Sequence, residues 1–242
     1  MTSIQKAENF AGAQPTGRRA GRPRRLTLDQ ILDAGLAIGL DNNLTMAAVA
    51  ERLGVSATVL YGYVSGREEL IRFASARAAM DHDFPNDEGQ YWALYGAQHA
   101  RALYDLMTGP GGLLNQYLTG NMGPESDLDR TEIWLAAFMK RGFSDEEAFA
   151  LLERMGLIVV GGAVMGLNDQ ALRASGLGYT AGARKMFETL SDQNFPLTKA
   201  QADGFIGRVD VWRRGVLELF ETIAEQRGEH FPKAEVTALL GL

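Results

Sequence analysis

The sequence predicts an all-α protein with an N-terminal three-helix domain of the helix-turn-helix type and a larger C-terminal helical domain. Apolar residues recur at three- and four-residue intervals in both parts, the period of a helix with one buried face. Three of these patterns begin at a capping box, in which Ser or Thr is followed three residues later by Gln or Glu: Thr27 with Gln30, Ser65 with Glu68, and Ser144 with Glu147. Gly54 separates two short patterns, as in a turn between angled helices. The predicted parts are an arm (1–25), a helix-turn-helix domain (26–73) and a helical domain (74–242).

The first helix is predicted to begin at Thr27, which has the capping-box spacing to Gln30. The polar residues 41–43 end it, and Thr45 is placed to cap the second helix. The buried stripe of the first helix consists of Leu28, Ile31, Gly35 and Ile38.

The second and third helices form the helix-turn-helix unit. Gly54 ends the second helix in the left-handed conformation, and Ser56 caps the third. Leu60 and Val64 pack the third helix inwards, and a capping box at residues 65–68 opens a fourth helix. The surface left facing outwards fits the major groove of DNA and consists of Ser56, Ala57, Thr58, Tyr61 and Gly62.

Residues 24–73 resemble the DNA-binding domain of the tetracycline-repressor (TetR) family of transcriptional regulators. The motifs that carry the resemblance are, in order, Gln30-Ile31-Leu32-Asp33-Ala34, Leu44-Thr45-Met46, Ala50-Glu51-Arg52-Leu53-Gly54-Val55-Ser56, Leu60-Tyr61 and Arg67-Glu68-Glu69-Leu70. The resemblance implies that Thr45, Tyr61 and Arg67 bind phosphates, contacts that set register rather than sequence. It assigns base reading to Ser56, Ala57, Thr58, Gly62 and Tyr63. Packing against neighbouring helices is the alternative for both tyrosines, and we favour it for Tyr63.

This base-reading face departs from the family pattern. Gly62 stands where the family usually has a bulky or charged residue, and Tyr63 stands where His is frequent. The face has no Arg, Asn or Gln, so it cannot pair bidentately with guanine or adenine. We expect specificity from methyl contacts by Ala57 and Thr58, from close backbone approach at Gly62, and from the arm.

The arm contains six basic residues against one acidic residue, Glu8. Its Gly and Pro residues oppose helix formation, so we expect it to be disordered in the free protein. Extended Arg-rich segments suit the narrow minor groove, whose negative potential attracts Arg. The predicted DNA contacts of the arm are Arg18, Arg19, Arg22, Arg24 and Arg25. A solubilising tail is the alternative.

Charge and composition limit the remaining functions. Residues 1–72 carry nine basic and seven acidic side chains, and residues 73–242 carry 15 and 23, so only the N-terminal part suits a polyanion. The chain has no cysteine, its three histidines are far apart and no cofactor motif is present, so we expect no catalytic, metal or cofactor site. The longest apolar run, 155–167, is too short to cross a bilayer. We expect a cytoplasmic protein without a membrane partner, located on the nucleoid when bound to DNA.

Beyond residue 73 the pattern predicts five more helices: 90–107, 113–118, 126–140, 145–172 and 203–226. Residues 173–202 are expected to be irregular, with a short helix at 183–190 as the alternative for part of them. The last two long helices have wide apolar faces, and Gly162 and Gly166 would let another helix approach. The family resemblance also implies dimerisation through the last two long helices. We therefore expect a homodimer with a four-helix interface that includes Gly162, Gly166, Val209, Trp212, Val216 and Phe220. Burial within one subunit is the alternative, and each helix is expected to do some of both.

Aromatic residues are concentrated in the 90–107 and 126–140 helices. Because the resemblance implies an inducer pocket in the acidic domain, we predict a cavity there for a small apolar or aromatic effector. Its predicted lining is Trp92, Tyr95, His99, Leu103, Tyr104, Trp134, Phe138 and Met139. For each residue taken alone, ordinary core packing is the alternative.

The sequence is therefore interpreted as that of a ligand-responsive transcriptional regulator, a repressor released from a palindromic operator by its effector. An architectural DNA-binding protein without an effector is one alternative, and it predicts weak sequence discrimination. A helical enzyme is the other, and it requires titratable groups that converge in a pocket. Two-fold symmetry predicts operator half-sites roughly 34–36 Å apart, or a multiple of that distance.

Overall fold

The structure is a computed structural model that describes residues 26–40, 43–109, 113–122, 125–174 and 211–242. All regular elements in these ranges are helices, which confirms the all-α prediction. They are α1 (Leu28–Ile38), α2 (Met46–Leu53), α3 (Ala57–Leu60), α4 (Arg67–Met80), α5 (Trp92–Thr108), α6 (Leu113–Leu118), α7 (Glu125–Met139), α8 (Asp145–Ala174), α9 (Val211–Gln226) and α10 (Lys233–Leu240). The arm, residues 41–42, Val209 and the predicted irregular segment after residue 174 lie outside the described residues.

The chain divides into two compact units. The first unit combines Met1–His82 with Gly109–Lys140, and the second combines Asp83–Thr108 with Arg141–Leu242. This division differs from the sequence boundary at residue 73 because α4 packs against α6 and α7. A buried hydrogen bond from Gln116 Nε2 to the Leu40 carbonyl, 2.5 Å long, also connects α6 to the end of α1.

The start of α1 confirms the predicted capping box. Thr27 Oγ1 accepts a hydrogen bond from the Gln30 amide at 3.2 Å, and Gln30 Oε1 accepts one from the Thr27 amide at 3.0 Å. Of the predicted stripe, Ile31 and Gly35 are buried, whereas Leu28 and Ile38 are half-buried. The helix ends at Ile38, before the polar residues that were expected to end it, because Gly39 adopts φ +99°.

The start of α4 corrects the capping box predicted at residues 65–68. Gly66 occupies the N-cap position and has no side chain with which to cap the helix. Instead, the Ser65 amide donates a 2.6 Å hydrogen bond to Glu69 Oε2, one residue later than the pattern required. This backbone hydrogen bond lowers the pKa of Glu69 below its usual value.

In the second unit, α8 packs against α5 and α9, and α5 also packs against α10. The predicted capping box at the start of α8 is confirmed: the Ser144 amide donates to Glu147 Oε2 at 2.8 Å, and the Glu147 amide donates to Ser144 Oγ at 3.1 Å. The sequence missed α10, in which Val236 and Leu240 are buried. Two buried residues in a helix of eight give too weak a periodic pattern to detect.

The segment 145–171 of α8 is long and apolar enough, by length and composition alone, to cross a membrane. The uninterrupted apolar run covers only residues 155–167, whereas the helix continues beyond both ends of this run. Core helices of soluble proteins pass the same test, and one side of α8 is buried within the second unit. The buried residues on that side include Ala148, Leu151, Met155, Val159 and Ala163.

Candidate nucleic-acid interface

The helix-turn-helix unit is built from local signals that the sequence made visible. Thr45 Oγ1 accepts a 3.0 Å hydrogen bond from the Ala48 amide and so caps α2. Gly54 ends α2 in the left-handed region, with φ 65° and ψ 32°. Directly after it, the Val55 amide donates to the Ala50 carbonyl at 3.0 Å. These contacts set the sharp turn that leads into α3.

The third helix is shorter than its pattern predicted. It spans Ala57–Leu60 and continues as hydrogen-bonded turns in which the Tyr63 and Val64 amides donate to the Leu60 carbonyl at 2.9 and 3.1 Å. Leu60 and Val64 are buried, as predicted. Ser56 is at the N-cap position, but its side chain makes no hydrogen bond to the helix, so the predicted capping role is corrected.

The outward surface of α3 and its following turn, which we call the reading face, has the predicted exposure. Ser56, Thr58, Tyr61 and Gly62 are exposed, and Ala57 is half-buried. Val59 is 43% exposed on the same surface and was missed by the sequence analysis. The signal that was available is its position next to Leu60, on the flank of the buried stripe.

The two tyrosines of this region have different environments. Tyr61 is 56% exposed, so its side chain is accessible to a partner. Tyr63 is half-buried, and its hydroxyl donates a 2.7 Å hydrogen bond to the Leu26 carbonyl. This bond holds the end of the reading face to the residue that directly follows the arm, and it supports the packing interpretation of Tyr63.

Arg67 connects the start of α4 to the helix-turn-helix unit. Its Nε donates a 2.7 Å hydrogen bond to the carbonyl of Leu44, the residue before the α2 cap. Arg67 is therefore a structural contact in the first unit, and phosphate binding by the rest of its guanidinium group stays a prediction. The five arm arginines lie outside the described residues, so their predicted minor-groove contacts are proposals as well.

The residues predicted for a subunit interface mostly pack within the chain. A Cβ at Gly162 would lie 2.3 Å from Trp212 Cβ, and one at Gly166 would lie 2.6 Å from the Tyr104 hydroxyl oxygen. Trp212 stacks on Tyr104 with ring centroids 4.5 Å apart and an interplanar angle of 12°. The two glycines therefore admit neighbours from the same chain. Trp212, Val216 and Phe220 are likewise buried inside the second unit.

The residues predicted to bind a ligand fall into both units. The second unit contains Trp92, Tyr95, His99, Leu103 and Tyr104, and the first contains Trp134, Phe138 and Met139. Five of the eight are buried: Trp92, Tyr95, His99, Trp134 and Phe138. Met139 is 50% exposed. A shared ligand cavity stays a prediction.

The lining of two surface clefts does not include these aromatic residues. One, beside the helix-turn-helix turn, is lined by Leu26, Gln30, Asp33, Ala34, Arg52, Leu53, Gly54 and Val55. The other, in the second unit, is lined by Glu218, Glu221, Thr222, Glu225, Glu229 and Phe231. Among the described residues, no group of three or more metal-ligating side chains could hold a metal ion.

A charged cluster around Glu229 in the second unit was not predicted. Glu229 Oε2 accepts hydrogen bonds from the Tyr91 hydroxyl at 2.8 Å and from Trp92 Nε1 at 2.7 Å, and Oε1 accepts one from Arg227 Nε at 2.6 Å. Burial raises the pKa of Glu229, but these hydrogen bonds outweigh it and the net pKa lies below the usual 4.5. Burial and the bond to Glu229 raise the pKa of Tyr91 to about 12.

The same cluster fixes two loops of the second unit. Arg227 lies over the Phe143 ring at 3.9 Å, and its Nη2 donates to the Arg141 carbonyl at 3.2 Å. Arg141 in turn forms a 2.6 Å ion pair with Asp87 and donates to the Gln90 carbonyl at 2.9 Å. Trp92 belongs to this cluster because its indole N–H donates to Glu229, and its side chain is buried. For Trp92 these contacts favour core packing over ligand contact.

Comparisons with known proteins agree with this geometry. No family model matches the chain. The HTH-type transcriptional repressor DrrR1 of Streptomyces coeruleorubidus is 28% identical over 235 residues, which cover 90% of this chain and 86% of DrrR1. The TetR family protein ActR of Streptomyces coelicolor, solved in complex with actinorhodin, has a TM-score of 0.63 at 21% identity over 80% of this chain and 96% of ActR. A TetR variant of Acinetobacter baumannii in complex with minocycline has a TM-score of 0.51 at 17% identity over 79% of this chain and 99% of that protein.

The solved structures show that the fold is shared, and DrrR1 extends the likeness to the sequence. The capped α2, the left-handed Gly54 turn and the exposed reading face fit this likeness to helix-turn-helix transcriptional regulators. The fold is that of TetR-family proteins such as ActR, and the sequence is similar to that of the repressor DrrR1.

Proposed function

We propose that the protein is a cytoplasmic repressor that binds a palindromic operator as a homodimer and leaves it when a small apolar or aromatic effector binds. The reading face carries the proposal, because it presents Thr58 and Tyr61 to solvent on a turn fixed by Gly54. DrrR1 is named a repressor, and ActR and the TetR variant were solved with small molecules, which supports repression and ligand response. The protein is located on the nucleoid when bound to DNA and has no membrane partner.

Footprinting upstream of its own gene and neighbouring genes tests the proposal. We expect a protected palindrome whose half-sites lie roughly 34–36 Å apart, or a multiple of that distance. A reporter downstream of this site should be silent with the protein and active without it. Equal affinity for all DNA sequences would instead support the architectural alternative.

Phosphate contacts by Thr45 and Tyr61 are part of the proposal. Thr45→Ala also removes the cap of α2, which costs about 1 kcal/mol of stability, so Thr45→Ser is its matched control. Tyr61→Phe removes only the exposed hydroxyl. Because phosphates carry no sequence information, Thr45→Ala and Tyr61→Phe should weaken binding to operator and non-operator DNA alike. A gel-shift titration measures both affinities, and loss for the operator alone would place these residues at base edges.

The homodimer is proposed to use the exposed side of α8. Phe149, Leu157 and Val164 are 46%, 77% and 41% exposed, and their spacings of eight and seven residues return to one side of a helix. Met165, also on α8, is 38% exposed, and Val211 at the start of α9 is 50% exposed. Several large apolar side chains exposed on one side of a helix are typical of an interface.

Leu157→Glu tests this surface. Because Leu157 is exposed within its own chain, the variant should fold, yet it should dissociate, since a charge buried at an interface without a partner is costly. The matched control is Leu128→Glu on α7, where the leucine is 59% exposed. Light scattering should show a monomer for Leu157→Glu and a dimer for Leu128→Glu. A dimeric Leu157→Glu variant would move the interface elsewhere.

The effector site is proposed to include residues of α5 that keep exposed surface. Leu103 and Tyr104 are half-buried, whereas the indole N–H of the buried Trp92 is hydrogen-bonded to Glu229. Actinorhodin and minocycline, each bound by a structural relative, are the probes. A probe that releases the protein from DNA should do so with a coupling free energy of about 1–3 kcal/mol between the two sites. Leu103→Ala should reduce this coupling free energy, and it should leave the affinity for DNA unchanged when no probe is present. An unchanged response would place the site elsewhere.

A further inference from the structure

Val59 is an exposed aliphatic side chain of α3, on the flank of the reading face. It is 43% exposed, although the adjacent Leu60 is wholly buried in the first unit. A β-branched residue loses side-chain freedom in a helix, so local helix stability does not favour valine at this position. Local helix preference therefore does not explain a valine here, and part of its side chain is accessible to a partner.

The methyl groups of Val59 lie at the edge of the reading face. Successive helical residues are turned by about 100°, so Thr58 lies opposite Leu60, and Val59 lies on the flank between these two residues. Gly62 follows in the turn after α3. Gly62 has no side chain and is exposed, which leaves the backbone at this point bare. A bare backbone can approach the floor of the groove more closely than a bulky residue would allow. The flanking side chain of Val59 then reaches the base edges.

Thymine is the base that presents a methyl group in the major groove, and apolar side chains recognise it by contact. The reading face has no Arg, Asn or Gln to form bidentate pairs. We propose that Val59, supported by Thr58, is a specificity-determining residue that reads thymine methyl groups, so that T·A pairs occupy the operator positions under α3. This inference rests on the proposed function and adds the chemistry by which that function selects its sites.

The test removes single methyl groups from the DNA. Full-length protein first selects binding sites from a random duplex pool, and each thymine of the selected half-site is then replaced by uracil. Uracil differs from thymine only by the missing C5 methyl group, so hydrogen bonding is unchanged. At the position read by Val59, the substitution should weaken binding about fourfold, the value expected for one methyl group removed from an apolar contact.

A variant of the protein assigns that loss to Val59. Val59→Ala keeps α3 intact, because alanine is the better helix former and the side chain is exposed. It should bind the thymine and uracil duplexes equally at the position where the wild type discriminates. Ile133→Val is the control, since Ile133 lies in the first unit on α7 and is 57% exposed. This variant should retain the fourfold difference.

The outcomes separate the inference from the function on which it rests. Uracil tolerated at every position of the half-site, or a fourfold loss that persists unchanged in Val59→Ala, would overturn the role of Val59 while leaving a sequence-specific regulator. Failure to enrich any sequence from the pool would contradict the proposed function itself. Loss of discrimination in Val59→Ala, with Ile133→Val unchanged, is the result that supports thymine reading.

Discussion

Gly162→Ala should destabilise the protein, although alanine has a higher helix propensity than glycine. Alanine at an interior helical position is favoured over glycine by about 1 kcal/mol. At Gly162, however, the added Cβ would lie 2.3, 2.4 and 2.6 Å from Cβ, Cγ and Cδ1 of Trp212. The sign of the effect therefore depends on whether α8 and α9 can separate within the second unit.

The magnitude follows from the overlap. Ordinary contacts of a Cβ begin at 3.4 Å, so Trp212 must move by more than 1 Å relative to α8. Trp212 is buried and stacked on Tyr104, which restricts such a movement. Overpacking of this kind costs about 1–3 kcal/mol, and the backbone-proximal atoms involved favour the upper end. After the helix preference is subtracted, we expect a net loss of about 2 kcal/mol.

The same helix supplies the control. A Cβ at Gly156 would have no neighbour within 4 Å, so Gly156→Ala should gain up to about 1 kcal/mol. For a chain of this size, 1 kcal/mol shifts the melting temperature by about 2–4 °C. Thermal melting followed by circular dichroism should therefore place Gly162→Ala about 6–12 °C below Gly156→Ala.

The oligomeric state of Gly162→Ala distinguishes packing of Gly162 inside the chain from packing at a subunit interface. If Gly162 packs inside the chain, the Gly162→Ala variant should be dimeric at every concentration at which the wild-type protein is dimeric. Dissociation to a folded monomer with an unchanged melting temperature would refute the internal packing and restore the glycine to the subunit interface. Equal melting temperatures for the two alanine variants would refute the steric reasoning.

Two further predictions concern the Glu229 cluster and the arm. Glu229→Gln should lower the free energy of unfolding by about 1.5–3 kcal/mol, because it weakens hydrogen bonds to a charged group, and urea denaturation measures this. The pKa of Glu229 is lowered in the folded state, so the stability difference between wild type and variant should be full above pH 4.5. It should disappear as the pH falls through the pKa of Glu229 in the folded protein. A stability difference that does not change with pH would contradict this assignment. Deletion of residues 1–23 should weaken DNA binding and flatten its salt dependence, because fewer counterions are released, whereas an unchanged slope in a salt titration would make the arm a solubilising tail.

Local signals explain what the sequence predicted well. A cap or a turn depends on residues within four positions of one another, as at Thr27, Thr45, Gly54 and Ser144. The Glu229 cluster joins residues 137 and 138 positions apart in the chain, and nothing in the sequence near residue 229 indicates Tyr91 or Trp92 as its partners. Hydrogen-bond geometry between distant segments is set by packing, which periodicity does not encode.

The long helix α8 shows why an apolar pattern alone does not assign its sides to packing partners. Its sequence is apolar on most sides, so the pattern indicated two contacts without saying which side meets which partner. Within the second unit, the side with Gly162 packs against α9, and the side with Leu157 is left exposed. Small residues predicted a close approach correctly, but the approaching side chain is Trp212 of the same chain. A charge at Trp212 should therefore unfold the unit, whereas a charge at Leu157 should only separate the subunits, and comparing Trp212→Glu with Leu157→Glu by circular dichroism and light scattering distinguishes the two sides directly.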